Sequence, residues 1–337
     1  MKSTTFLSCD WGTSAFRLRL VERQSLKILA ETHSKEGNAA TAALWQLPGQ
    51  PPGQPPGQPP GQRVAFYRAI LEKHLTKLEA TVKTSLDEVP VVISGMASST
   101  IGMLELPYRA LPFAVDGSDL LTRTMAATAD FRHEILLISG VKSADDVMRG
   151  EEVQLVGCRF EHTEEEELFL HPGTHAKHVL VRHGQAVAMK TYMTGEFFSL
   201  LSTNGILAAS VEEGGKLDEG QNRQWFEKGV QDSQQANLLH NTFLVRTNDL
   251  FKKASKRENY FYLSGLLIGS ECHDLLANRP ARITLAGEPA LLALYGAALQ
   301  KLGIADKCPI RMKSAEEVTL NGQSIVLQQQ LLTAKKP

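Results

Sequence analysis

The residues best suited to acid–base chemistry are two adjacent carboxylates, Glu151 and Glu152, which follow Arg149 in the segment Val147–Glu152. A carboxylate at this place could accept a proton from a hydroxyl group as that group attacks phosphorus. The planar guanidinium of Arg149 could bind a carboxylate or a phosphate through two hydrogen bonds. Glutamates at a helix N-terminus also complement the helix dipole. The residues alone do not decide between these two interpretations.

A second candidate group lies in two glycine–threonine turns, one in each half of the chain. The first, Asp10-Trp11-Gly12-Thr13-Ser14, follows the predicted strand Thr4–Ser8, and the second, Pro172-Gly173-Thr174-His175-Ala176-Lys177, follows the predicted strand Leu168–His171. Backbone amides in such turns can bind phosphate, and a carboxylate at a strand end can hold a metal ion through water. Asp10 is therefore a candidate Mg²⁺ residue. The candidates for contacts to phosphate oxygens are Thr13, Thr174, His175 and Lys177. Ordinary solvated turns would explain both segments as well.

Two further glycine-containing segments follow predicted strands. The segment Ser94–Gly102 is rich in glycine and hydroxyl groups and fits a loop that hydrogen-bonds a polyol or a carboxylate. Gly287 follows the predicted strand Arg282–Ala286 and could let an adenine ring lie flat against the backbone. A serine-rich turn and an ordinary strand–helix turn are the alternatives.

The composition is that of a globular protein with one large domain or two domains. The chain has 337 residues, of which 42% are hydrophobic and 22% charged, and its net charge is −1. This balance gives no electrostatic case for binding nucleic acid or an anionic membrane. The four cysteines form no CxxC pair, and neither a signal peptide nor a membrane-spanning apolar run is visible. These features predict a cytoplasmic protein.

The predicted elements alternate, and each half begins with a hairpin-based sheet and continues into helices. This weak internal duplication indicates two related α/β domains that face a cleft. A helix is predicted over Val64–Ala80, and another from about Asp145 through Val156. The proline, glycine and glutamine repeat at Pro48–Gln62 is predicted to be a surface loop, because proline removes donors and glycine adds entropy. A polyproline ligand for a partner is the less favoured alternative.

The chain resembles the 2-dehydro-3-deoxygalactonokinases, sugar-acid kinases of the actin/hexokinase/Hsp70 ATPase superfamily. The segments that carry the resemblance span nearly the whole chain, and their order makes them specific. They are Asp10–Thr13 with Arg17, Ser94–Gly102 with Pro107-Tyr108, Val147–Glu152, Pro172–His175 with Lys177, Met193–Glu196, and Leu263–Gly269. The helix that carries the two glutamates also looks like the acidic helix of exopolyphosphatases of the same superfamily.

The resemblance implies two ribonuclease-H-like domains around a nucleotide cleft, the actin-like ATPase fold. Residues 1–144 would form the sugar-acid side and residues 145–337 the nucleotide side. The implied activity is transfer of the γ-phosphoryl group of Mg·ATP to the terminal (6-) hydroxyl of 2-dehydro-3-deoxy-D-galactonate in galactonate breakdown. A homodimer would be unsurprising.

The resemblance also implies roles for particular residues. Glu152, or else Glu151, would be the base, and Arg149 is a candidate for the carboxylate of the sugar acid. The residues expected to bind the nucleotide and its metal are Asp10, Gly12, Thr13, Arg17, Gly173, Thr174, His175, Lys177 and Gly287. The residues expected to bind the sugar acid are Gly95, Met96, Ser99 and Tyr108.

The chain departs from the family pattern at three places. His178 stands where a tryptophan is expected, Glu288-Pro289 follows Gly287 where Ala-Gly-Thr is usual for the turn, and the repeat is an insertion. Three alternatives remain open: a phosphohydrolase of the same fold, a kinase for the gluconate epimer, and a non-catalytic regulator. The sequence does not fix the configuration at C4 of the substrate.

Overall fold

The computed structural model describes residues 4–45, 60–160, 165–235 and 237–333. The strands are β1 Thr5–Trp11, β2 Phe16–Glu22, β3 Ile28–Ser34, β4 Val91–Gly95, β5 Arg109–Ala110, β6 Phe113–Ala114, β7 Thr122–Met125, β8 Ile135–Ile138, β9 Val141–Lys142, β10 Val147–Met148, β11 Glu167–His171, β12 Ala176–Arg182, β13 Gln185–Tyr192, β14 Arg282–Gly287 and β15 Ile310–Ser314. The helices are α1 Asn38–Trp45, α2 Pro60–Val82, α3 Glu151–Gly157, α4 Thr194–Thr203, α5 Asn222–Asp232, α6 Leu238–Leu250, α7 Lys256–Glu271, α8 Asp274–Ala277, α9 Pro289–Lys301 and α10 Ala315–Thr333. Within the described ranges, no helix has both the length and the apolar character needed to cross a bilayer.

The chain divides by its internal contacts into two compact units. Unit 1 comprises Met1–Glu161, Gly184–Val187 and Glu317–Pro337, and unit 2 comprises His162–His183 and Ala188–Glu316. Most of α10 thus belongs to unit 1, although the chain reaches it from unit 2. The proposed domain boundary between residues 144 and 145 stays a prediction.

The main sheet of unit 1 has the strand order β3-β2-β1-β4-β8-β7. Strands β1, β2 and β3 form an antiparallel meander, whereas β4 runs parallel to β1 and β8 runs parallel to β4. This order and these directions are those of a ribonuclease-H-like sheet. Helix α2 packs on the sheet through buried residues whose helical spacing places them on one face of the helix. They are Tyr67, Leu71, Leu75 and Leu78.

Unit 2 repeats this topology. Its strands follow the order β15-β14-β11-β12-β13, with β11 antiparallel to β12 and parallel to β14. Helices α5 and α7 pack closely through two glycines, since a Cβ at Gly229 would lie 2.2 Å from the carbonyl oxygen of Tyr262 and one at Gly265 would lie 2.0 Å from that of Phe226. The predicted fold class, two ribonuclease-H-like α/β units, is confirmed.

Three predictions about single elements need correction or fall outside the structure. The helix expected from about Asp145 begins only at Glu151, and the short strand β10 precedes it, because Gly150 has a φ of 112° that no helix tolerates. The proline-rich segment ends earlier than predicted, since residues 60–62 form the first turn of α2. Residues 48–59 of the repeat lie outside the described residues.

Candidate functional site

The ends of β1 and β4 lie side by side in unit 1 and present the first group of predicted residues. In the parallel register Asp10 lies beside Ser94, and Trp11 lies beside Gly95. Gly95 has a φ of 91°, and a Cβ there would lie 2.7 Å from the carbonyl oxygen of Trp11. Only glycine fits this position without strain.

The predicted hairpin between β1 and β2 is present. The amide of Gly12 donates to the carbonyl of Ala15 at 3.0 Å, which closes the turn. Arg17 lies opposite Asp10 in the antiparallel register, and Thr13 is exposed at the tip. The first amides of α1 donate to the carbonyls of Gly12 and Thr13. This helix, which was not predicted from the sequence, therefore stabilises the turn through two backbone hydrogen bonds.

The N-terminus of α3 meets the end of β4. A Cβ at Gly150 would lie 3.4 Å from the Cα of Gly95, so the two backbones are in contact. The side chains of both predicted carboxylates accept backbone amides at this junction, each from the residue two positions before it. Glu151 Oε2 accepts the amide of Arg149 at 2.9 Å, and Glu152 Oε2 accepts the amide of Gly150 at 2.7 Å. The carboxylates thus bind the free amides that precede the helix.

The two glutamates differ in their surroundings. Glu152 is fully buried, and its Oε1 has no hydrogen-bond partner among the residues that the structure describes, whereas Glu151 is half-buried. Burial, together with the negative charge of Glu151, raises the pKa of Glu152 to about 8. A buried polar atom without a partner is costly in a folded protein. Glu152 is therefore a carboxyl group with one oxygen that is buried without a donor from the described part of the chain.

Arg149 links the α3 junction to the loop after β4. Its Nη1 donates to the carbonyl of Ser98 at 2.7 Å and to the Ser98 hydroxyl at 2.5 Å, and its guanidinium lies 4.2 Å from the centre of the Tyr108 ring. Part of the guanidinium is thus used to hold the loop. The hydroxyl of Ser99, which is buried, donates to the carbonyl of Met96 at 2.7 Å.

A side chain that sequence reasoning missed joins the two strand ends. The amide nitrogen of Gln323, in α10, donates to the carbonyl of Cys9 at 3.0 Å and to the hydroxyl of Ser94 at 2.9 Å. Both acceptors precede site residues, Asp10 and Gly95, by one position. No sequence signal could have found this contact, because more than 200 residues separate Gln323 from each partner.

The second glycine–threonine turn, in unit 2, connects β11 and β12 as predicted. The start of α4 packs on it: the amide of Glu196 donates to the carbonyl of Thr174 at 3.0 Å, and the Glu196 carboxylate pairs with His175 Nε2 at 2.5 Å. The ammonium of Lys177 is largely buried and donates to the carbonyl of His175 at 3.3 Å. The side chain of Thr174 is exposed.

An apolar cavity of about 260 Å³ adjoins this turn. Its wall includes Gly173 and Gly195 together with aromatic side chains from α4, α7 and α9: Phe198, Tyr260, Phe261 and Tyr295. At the end of β14, a Cβ on Gly287 would lie 3.5 Å from Pro172 Cδ, so Gly287 borders the same turn. Unit 2 therefore combines exposed backbone with an apolar pocket, which suits a ligand with a phosphate and an aromatic ring.

Acidic and metal-binding side chains are sparse at these positions. Among the residues that the structure describes, no group of three or more histidine, cysteine, aspartate or glutamate side chains could hold a metal ion. Asp10 is half-buried at a strand end. Mg²⁺ is commonly held by one or two carboxylates, with waters and substrate phosphates as its remaining ligands, and Asp10 fits that mode.

Comparison with known proteins gives one consistent result. A family model described as 2-keto-3-deoxy-galactonokinase matches residues 10–325. The chain is 29% identical over 330 residues to probable 2-dehydro-3-deoxygalactonokinase DgoK1 of Rhizobium meliloti (strain 1021), covering 95% of each chain. It is 28% identical over 306 residues to 2-dehydro-3-deoxygalactonokinase of Escherichia coli (strain K12), covering 88% of this chain and 90% of the relative. A crystal structure of a Sinorhizobium meliloti protein assigned to 2-dehydro-3-deoxygalactonokinase is 27% identical, with a TM-score of 0.75 over 96% of this chain and 98% of that one.

Proposed function

Because the chain belongs to the 2-keto-3-deoxy-galactonokinase family, we propose that it transfers the γ-phosphoryl group of ATP to the 6-hydroxyl of 2-dehydro-3-deoxy-D-galactonate, a step of galactonate breakdown. The observation that carries the proposal is the match of the family model to residues 10–325. The chain is accordingly a sugar-acid kinase, a phosphotransferase with an alcohol acceptor. The two curated relatives, each named for the same activity, support this over a phosphohydrolase.

Glu152 is our first choice for the base. Its unpartnered Oε1 would accept the proton of the 6-hydroxyl as the oxygen attacks phosphorus, which would also supply the missing hydrogen bond. A carboxylate is most effective as a base when its pKa lies near the working pH, and that of Glu152 is raised to about 8. Glu151 is the alternative, since its carboxylate lies at the same helix terminus.

The loop after β4 is proposed to bind the sugar acid. Gly95 and Met96 would offer backbone groups, and Tyr108 would offer its ring and hydroxyl. Arg149 already binds Ser98 through one nitrogen, and we propose that the remaining face of its guanidinium attracts the substrate carboxylate. The Ser99 hydroxyl donates within the loop, so we propose that its oxygen contributes as an acceptor.

Asp10 is proposed to hold Mg²⁺ through water, and Gly12, Thr13 and Arg17 would contact phosphate oxygens. When bound, Mg²⁺ would neutralise charge that develops on the transferred phosphoryl group. Asp10 would offer its carboxylate near the end of β1. The backbone there is stabilised by the pairing with β4 and by the Gln323 contact to Cys9.

In unit 2 we propose that the adenosine of ATP occupies the apolar cavity beside the second turn. The amides of Gly173 and Thr174 would then bind phosphate oxygens, with the Thr174 hydroxyl and the imidazole of His175 nearby. Gly287 would lie against the nucleotide because it lacks a side chain. Lys177 would act through the turn, since its ammonium binds the carbonyl of His175.

The cellular compartment and the oligomeric state belong to the same proposal. The four cysteines are buried and form no disulfide within the described residues, which suits a reducing compartment, and we place the kinase in the cytoplasm. A homodimer stays a prediction.

The proposal is tested by identifying the product. The protein is incubated with Mg·ATP and 2-dehydro-3-deoxygalactonate, and the mixture is followed by phosphorus NMR. A phosphomonoester signal that is split by the two protons of one CH₂ group identifies phosphorylation at C6. Inorganic phosphate as the product, with the sugar acid unchanged, would overturn the kinase in favour of the phosphohydrolase.

A further inference from the structure

A fully enclosed carboxylate in unit 2 has three side-chain partners. Glu271, the last residue of α7, is 3% exposed. Its Oε1 accepts a hydrogen bond from His178 Nε2 at 2.8 Å, and its Oε2 accepts from the hydroxyl of Tyr295 at 2.6 Å and from that of Thr194. Burial of a carboxylate is costly unless donors surround it. Here three elements each contribute one donor, and together they offset that cost.

The three donors lie in three elements: β12, which carries Lys177, α4, which packs on the second turn, and α9, which follows Gly287. His178 lies in β12 directly after Lys177. Thr194 is the first residue of α4 and precedes Gly195 and Glu196, which contact the second turn. Tyr295 lies in α9, which begins two residues after Gly287.

The cluster also borders the cavity. Thr194 and Tyr295 line it, and both direct a hydroxyl to Glu271. Helix α4 and the turn are packed backbone against backbone, because a Cβ on Gly195 would lie 2.4 Å from the carbonyl oxygen of Gly173. A shift of Thr194 would therefore be passed directly to the turn.

We propose that Glu271 is a positioning residue for the nucleotide, which holds β12, α4 and α9 in the arrangement that shapes the second turn and the cavity. This inference rests on the proposed function, because it assigns ATP to unit 2. It also gives His178 a defined partner, because its imidazole supplies one of the three hydrogen bonds to Glu271.

Substitution of Glu271 by glutamine is the direct test. The amide has one acceptor oxygen and one NH₂ group, so the contact at Oε1 survives only if His178 turns from donor to acceptor, and otherwise one of the three hydrogen bonds is lost. Loss of a buried hydrogen bond to a charged group corresponds to roughly 10-fold or more in binding. We expect E271Q to raise the KM for ATP by about 10-fold or more and to leave the KM for the sugar acid within about twofold.

A merely structural role would not produce that split, and a matched control sharpens it. Glu167 is also a buried carboxylate, and its Oε1 accepts from the hydroxyl of Thr284 at 2.6 Å, but it begins β11 at the end away from the turn. E167Q should change the two KM values equally or not at all. Hydrogen exchange of the folded E271Q protein should be faster in residues 172–178 and 193–198, and unchanged there in E167Q.

Two outcomes would overturn the inference. The first is a folded E271Q protein whose KM for ATP and whose exchange in both segments match those of the parent. If E271Q does not fold, Thr194→Val decides, because it removes one donor and keeps the carboxylate: an unchanged KM for ATP overturns the inference, and a selective rise supports it. Parent protein without sugar-acid-dependent turnover would count against the proposed function, and the exchange comparison would still test whether Glu271 holds the turn.

Discussion

Gly95 and Gly150 lie against each other, with a Cβ at Gly150 only 3.4 Å from the Cα of Gly95. One residue ends β4, and the other precedes α3 and gives its amide to Glu152. The contact joins the loop proposed to bind the sugar acid to the carboxylate proposed as base. A side chain at either position would be strained, since both have positive φ angles.

Substitution of Gly150 by alanine should therefore reduce activity more than stability. A residue with a Cβ at this φ costs about 1–2 kcal/mol in the free energy of unfolding. A small displacement at a catalytic junction can cost about 100-fold in rate. We expect G150A to remain folded and to lose 10-fold or more in kcat, measured with thermal unfolding alongside.

Gly205 provides the control for backbone strain alone. Its φ is 73°, and a Cβ there would meet nothing within 4 Å. G205A should lose similar stability and keep full kcat. Equal losses of kcat in both variants would show that strain, rather than the contact with Gly95, limits G150A.

Replacement of Glu152 by glutamine should remove proton acceptance while keeping a hydrogen-bond acceptor for the Gly150 amide. Loss of a general base typically costs about 10²- to 10⁴-fold, so we expect kcat to fall within that range and the KM for ATP to change little. Glu105, which is exposed in the loop before Tyr108, gives a control, and E105Q should keep its kcat. Full turnover by E152Q combined with its loss in E151Q would move the base role to Glu151.

The raised pKa of Glu152 also predicts a pH-dependent stability. Its folded-state pKa is about 8 because of burial, whereas an unfolded glutamate titrates near 4.5. Between these values the folded state binds more protons than the unfolded state, so the contribution of Glu152 to stability falls as the pH rises and is constant above about 8. The Tm of E152Q minus that of the parent should therefore increase from pH 5 to pH 8. A difference that is constant over this range would contradict the assigned pKa.

Gly195 should be the position in α4 where alanine raises the KM for ATP. A helical glycine replaced by alanine usually gains stability, but here the added Cβ would lie 2.4 Å from the carbonyl oxygen of Gly173. We expect G195A to displace the turn and to raise the KM for ATP by about 10-fold or more. Gly296 in α9 is the control, because its Cβ would meet only the mobile end of Met312. G296A should leave the KM for ATP unchanged.

Many of the strands and the two turns could be predicted from the sequence because their signals are local. Alternating or continuous apolar residues bounded by glycine marked β1, β4, β11 and β14, and the family motifs identified both halves. Helix α6 was missed because its sequence mixes polar and apolar residues without a clear period, and β15 was missed because it is a short edge strand rich in basic residues.

The contacts that build the candidate site were harder to predict, because they join distant residues. Gln323 reaches Cys9 and Ser94 only after the chain has passed through unit 2 and returned to unit 1 in α10. The helix start at Glu151 depends on the unusual φ of Gly150, which the sequence shows only as a glycine. The different burial of Glu151 and Glu152 has no local signal at all.

The most direct test of the kinase is coupled measurement of ADP release with Mg·ATP and three acceptor conditions: 2-dehydro-3-deoxygalactonate, its gluconate epimer, and none. We predict turnover that requires the acceptor and favours the galactonate form. ADP release at the same rate without acceptor, or no release with either sugar acid, would contradict the account.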